Sequence, residues 1–115
     1  MASFNDGTFN YTILSDPSNV QVNGLFTNGV VDNPTIPDTV TNGGTTYNVT
    51  KIKDDAFKNG WNTNLKLTGT LTIGNNVTSI GQYAFYACTL LTAVTIGNSV
   101  TSIGDHAFRL CLNGL

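Results

Sequence analysis

Few side chains here could do chemistry: one histidine, two cysteines, seven aspartates and no glutamate among 115 residues. Asp105-His106 puts an acid beside a base, but a triad needs both to converge in space with a nucleophile. Sequence neighbours do not meet that requirement. Cys88 and Cys111 are the residue type of a redox or metal pair. Asp54-Asp55 and Asp105 could hold calcium only with more oxygen ligands at loop spacing. They fit better as negative charges at the starts of short helices, where the macrodipole favours them. None of the lysines follows a Gly-x-x-x-x-Gly, so no phosphate loop is present. Asn10-Tyr11-Thr12, Asn48-Val49-Thr50 and Asn76-Val77-Thr78 match the glycosylation sequon, which arises easily in a chain with 18 Thr and 15 Asn. These residues point to no enzyme and to no metal or cofactor.

The elements that would position them are strand-like. Charged residues make up 10% of the chain, against roughly 25% in an ordinary soluble domain. Thr, Asn and 12 Gly dominate instead, favouring many short strands joined by tight bends. A hydrophobic content of 40% is enough for a packed core. The net charge of −2 and the lack of basic runs argue against nucleic-acid binding. No apolar run approaches the roughly 18 residues of a membrane span. Met1 to Asp6 lacks the basic and apolar regions of a signal peptide, and residues 1–8 read as a leader. Two cysteines are too few for a disulfide-built secreted scaffold.

The chain repeats itself. Residues 73–88 and 96–111 agree at eleven of sixteen positions, at an offset of 23. The shared residues include Ile73/Ile96, Val77/Val100, Ile80/Ile103, Ala84/Ala107, Phe85/Phe108 and Cys88/Cys111. A looser copy, Val49-Thr50-Lys51-Ile52 with Ala56-Phe57, aligns at offset 28. Ile36-Pro37-Asp38-Thr39-Val40 mimics Ile73 to Val77. After it, Thr41-Asn42-Gly43-Gly44-Thr45 signals a β-hairpin. Such a period indicates coils that bury their inward faces only by stacking on one another.

The motif closely resembles the BspA-type leucine-rich repeat of bacterial surface proteins, over about residues 35–111. The marks are Val77-Thr78-Ser79-Ile80-Gly81, Ala84-Phe85 and Cys88, then Val100 to Gly104, Ala107-Phe108 and Cys111. The resemblance implies an α/β solenoid, a right-handed leucine-rich repeat coil with short helices on its convex side. It also implies adhesion to a host or microbial surface protein, and a place on the bacterial surface or outside the cell. Asn76 is replaced by Ser99, which interrupts an asparagine ladder at that position.

The repeat assigns roles. Leu91, Val94 and Ile96 face inward, with Leu71 beside Val94 and Thr72 beside Thr95. Gly104 admits a bend, and Asp105 to Leu110 is expected as a turn or two of helix carrying Ala107, Phe108 and Cys111 on its inner face. Phe9 to Leu14 and Val20-Gln21-Val22 read as strands, with a turn at Asn23-Gly24, so residues 9–34 form an N-terminal β cap. Residues 35–115 then hold about three coils, the last cut short. Leu110, Leu112 and Leu115 leave that edge without a polar cap, an invitation to self-association.

Two surfaces are candidates for a protein partner. The strand face offers Thr70, Thr72, Ala93 and Thr95, too few threonines to order ice. The opposite side offers Trp61, Tyr83, Tyr86, His106 and Arg109, the residue types of interface hot spots. Tyr83 and His106 occupy the same repeat slot, which suits a solvent-facing position. Cys88 and Cys111 share another slot and are expected as buried thiols, with a disulfide open to them if their Cα atoms lie within about 7 Å. The first reading is a non-catalytic binding module, and the second a structural spacer that presents another domain.

Overall fold

The parallel register between repeats organises the chain. The computed structural model describes residues 2–58 and 64–111, and in them the strands are β1 (Ser3–Asn5), β2 (Phe9–Ile13), β3 (Asn19–Leu25), β4 (Val31–Asp32), β5 (Thr35–Ile36), β6 (Thr39–Asn42), β7 (Thr45–Ile52), β8 (Leu67–Ile73), β9 (Ser79–Ile80), β10 (Leu91–Thr95) and β11 (Ser102–Ile103). One sheet runs β1-β2-β3-β7-β9-β11, with β6 paired to β7. The other has β8 at its centre, β10 on one side and β4 and β5 paired to it as well.

The two repeat offsets reappear as strand registers. Leu71 pairs with Val94 and Thr72 with Thr95; Ile80 pairs with Ile103 and, at the longer offset, with Ile52. Equivalent positions therefore lie directly over one another. Ile52, Phe57, Leu71, Ile73, Val77, Ile80, Ala84, Phe85 and Cys88 are buried in one hydrophobic cluster. The phenylalanines form a column through it. Phe9 meets Phe57 edge-on at 5.8 Å, Phe57 stacks on Phe85 at 4.9 Å, and Phe85 stacks on Phe108 at 5.3 Å. Each such pair adds about 0.5–1.5 kcal/mol beyond the area it buries. The last coil shows what stacking supplies: Ile73 is 1% exposed and Ile80 2%, whereas their equivalents Ile96 and Ile103 are 41% and 48% exposed.

The expected short helices are absent from the described residues. Residues 81–88 and 104–111 instead run through successive turns, in which Tyr83, Ala87, His106 and Leu110 take left-handed φ values of 57–63°. Alternate amides close turns within the coil: Ala84 N–H donates to Gly81, Tyr86 to Tyr83 and Cys88 to Phe85. The amides between them point along the stack, where Tyr83 donates to Asp105 (3.1 Å), Phe85 to Ala107 (2.8 Å) and Ala87 to Arg109 (2.8 Å). A helix would consume all of these donors internally. It would also be about 10 Å wide, twice the 4.8 Å that separates stacked strands. A ribbon of turns keeps this side of the coil as thin as the strand side.

The N-terminal segment is knitted into the same stack. Ser3–Asn5, expected within the leader, pairs antiparallel with β2. The Asp6 carboxylate accepts the Thr8 and Phe9 amides and the Tyr11 hydroxyl at 2.7 Å. β3 then pairs parallel with β7, Val20 against Val49 and Val22 against Ile52. The turn expected at Asn23-Gly24 does not form, because β3 continues to Leu25. Gly24 sits there at φ 144°, where a Cβ would collide with the Ala56 carbonyl. The hairpin does form: Asn42 pairs with Thr45, and Gly43 and Gly44 both take positive φ, as a two-residue loop of this kind requires.

Candidate interaction surface

Side chains that the coil turns outward lie in columns. Asp55, Tyr83 and His106, all with left-handed φ values, are repeat equivalents, and so are Lys58, Tyr86 and Arg109, three residues further on. Inward residues hold both columns in place, since Ala84, Phe85 and Cys88 are buried while Tyr83 and Tyr86 are half-exposed. His106 and Arg109 are exposed. The Tyr83 and Tyr86 rings meet edge-on at 5.4 Å, and the Tyr83 ring lies 5.0 Å from His106. Lys58 Nζ sits 4.8 Å from the centre of Tyr83 and 5.8 Å from that of Tyr86, and 3.8 Å from the Asp55 carboxylate. A cation over an aromatic face contributes about 0.5–1 kcal/mol at such a site, comparable to or above the exposed ion pair itself. The surface is an aromatic patch edged by Lys58 and Arg109.

The sequence candidates thus divide into two groups. Tyr83, Tyr86 and His106 come together on this turn face, and Arg109 is exposed at the repeat position of Tyr86. Thr70, Thr72, Ala93 and Thr95 sit on the other sheet, where Thr70 pairs with Ala93 and Thr72 with Thr95. Thr35 extends the second pair into a row of three through its register with Thr72. Trp61 lies outside the described residues. Sequence reading missed Lys58, although the offset of 28 that aligns Phe57 with Phe85 also aligns Lys58 with Tyr86. An asparagine ladder, interrupted at Ser99, runs one position earlier. Asp38 accepts the Asn75 amide at 2.6 Å, and the Asn75 side chain accepts the Asn98 amide at 3.4 Å.

The two thiols are enclosed. Cys88 and Cys111 are free and buried, and Cys111 Sγ donates to the Phe85 carbonyl at 3.2 Å. Beside Lys58, a cleft lined by Leu25, Phe57, Asn64 and Lys66 has its polar groups engaged: Asn64 donates to the Phe57 carbonyl at 2.6 Å, and Lys66 Nζ to that of Asn28 at 2.6 Å. Among the described residues, no three His, Cys, Asp or Glu side chains gather as metal ligands. No helix there is long and apolar enough to cross a membrane.

Residues 50–114 match the family model described as BspA type Leucine rich repeat region (6 copies). A leucine rich cell surface protein from Faecalibacterium prausnitzii is 34% identical and superposes with a TM-score of 0.75 over 96% of this chain and 28% of its own. A leucine-rich repeat protein from Bacteroides ovatus is 30% identical, with a TM-score of 0.80, over 96% of this chain and 27% of its own. A third, from Bacteroides capillosus, is 21% identical and shares the fold, with a TM-score of 0.76 over 98% of this chain and 86% of its own. This chain therefore spans less than a third of the first and second of these proteins. No curated protein matches it.

Proposed function

The chain belongs to the BspA-type leucine-rich repeat family, and on that premise we propose that it is a non-catalytic protein-binding module of a bacterial surface or secreted protein. In this reading residues 9–34 are the cap and residues 35–115 the repeats of a short right-handed solenoid. Right-handed crossovers are the rule for parallel strands joined in one sheet. The surface location draws support from the F. prausnitzii protein, which is described as a cell surface protein.

The observation that carries the reading is the patch of Tyr83, Tyr86, His106 and Arg109 on the turn face. Tyr and Arg dominate binding energy at interfaces, and the cross-coil amides from Tyr83, Phe85 and Ala87 hold this backbone rigid. Pre-ordered side chains lose less entropy on association. The strand face, by contrast, offers small uncharged groups.

Binding to a panel of immobilised extracellular matrix proteins tests the assignment. The double variant Tyr86→Ala/Arg109→Ala should lose about thirtyfold or more in affinity, as truncated hot spots do. Thr72→Ala/Thr95→Ala should bind as the parent does. Loss in the threonine variant alone would move the site to the strand face. If the parent protein binds none of the panel, the spacer role gains instead.

A further inference from the structure

The stack brings one pair of nucleophilic side chains to equivalent points of adjacent coils, and nothing in the binding role uses them. Cys88 and Cys111 are 0% and 4% exposed. The backbone beside them is tightly registered: Ala87 N–H donates to the Arg109 carbonyl at 2.8 Å, and three residues before the pair the Phe85 and Phe108 rings stack at 5.3 Å. Neighbours in such a stack sit about 4.8 Å apart, inside the 4.4–6.8 Å Cα range that a disulfide spans.

We propose that Cys88 and Cys111 are an oxidation site, at which a disulfide-bearing oxidant converts the two thiols into a cross-coil disulfide that locks the last coil onto the one beneath it. The two thiols already interact. The neighbouring Cys111 side chain, and then burial, raise the Cys88 thiol above its ordinary range, while the Cys88 side chain lowers Cys111. Cys111, the thiol that is lowered, is the first to ionise, and it is the less deeply buried of the two, at 4% exposure against 0%. In the first step its thiolate attacks one sulfur of the oxidant, forming a mixed disulfide and expelling a thiolate. Cys88 then gives up its proton and attacks the Cys111 sulfur, expelling the second thiolate. Two protein thiols are oxidised, the oxidant is reduced to two thiols, and the two protons pass to the departing thiolates. The bond closes the Thr89 to Leu110 segment into a loop, which restricts opening of the last coil most in the unfolded or frayed state.

Arg109 lies inside that loop and provides the readout. The reduced full chain is incubated with oxidised glutathione and mapped under non-reducing conditions, and cleavage by trypsin after Arg109 is timed for both forms. The expected product is a Cys88–Cys111 linked peptide, the protein being lighter by two hydrogens. Cleavage should be about tenfold slower in the oxidised form, because opening of the coil is suppressed. Adding a reductant should restore the original rate. Cys88→Ser should show no oxidation-dependent change in that rate. Only glutathione adducts or intermolecular dimers, with no linked peptide, would overturn the site. A linked form cleaved as fast as the reduced one would overturn the lock.

Discussion

Phe85 and Phe108 stand 23 residues apart in the chain, yet their rings lie 5.3 Å apart and 5° from parallel. Phe57 stacks on the other face of Phe85 at 4.9 Å. Phe85 is thus sandwiched, while Phe108 has an aromatic partner on one side and is only half-buried.

Phe85→Ala should consequently cost about 3–5 kcal/mol, the loss typical of a large side chain removed from a closed core. Phe108→Ala should cost about half of that, since its outer face has less packing to lose. Urea unfolding of both variants checks the order, and equal losses would mean that Phe108 is packed as closely as Phe85.

Replacing His106 separates a ribbon of turns from a helix by the sign of the effect. At φ 59° a residue with a Cβ is held in a conformation costing roughly 1–2 kcal/mol, which glycine avoids. His106→Gly should therefore stabilise the fold by about 0.5–1 kcal/mol, after the loss of its contact with Tyr83. Inside a helix the same change would destabilise by about 0.5 kcal/mol. Thermal melts at matched pH decide between the two.

Alkaline stability should depend on Tyr11. Burial first, and then its bond to the Asp6 carboxylate, raise its hydroxyl above the ordinary tyrosine value of 10.0. The folded state therefore keeps this proton when the unfolded state has lost it. The contribution is complete below pH about 10 and declines above it, because there the unfolded chain binds fewer protons than the native one. Stability measured from pH 9 to 11 should fall, and Tyr11→Phe should flatten the fall. An unchanged slope in that variant would place its source elsewhere.

The candidate surface was partly legible in the sequence. Tyr83, Tyr86, His106 and Arg109 stand at the slots the repeat leaves unconstrained, and tertiary contact joins three of them within a few ångströms. Lys58 escaped because its copy of the repeat is the most diverged. Its position over Tyr83 is a contact between coils that a single coil read by itself does not reveal. The strand-face threonines were also placed in register, and Thr35 joined them from a segment whose spacing differs from that of the repeats.

The sequence by itself determined the stacking: offsets of 23 and 28, one inward set of residues per coil, and a hairpin at Gly43-Gly44. These follow from side-chain periodicity, which hydrophobic burial enforces wherever the chain runs. Only the tertiary structure decided the conformation of residues 81–88 and 104–111. Inward residues such as Ala107, Phe108 and Cys111 suit a helix and a series of turns equally well. The choice falls to the neighbouring coil, whose carbonyls at strand spacing draw alternate amides out of the local pattern and leave no room for a helix.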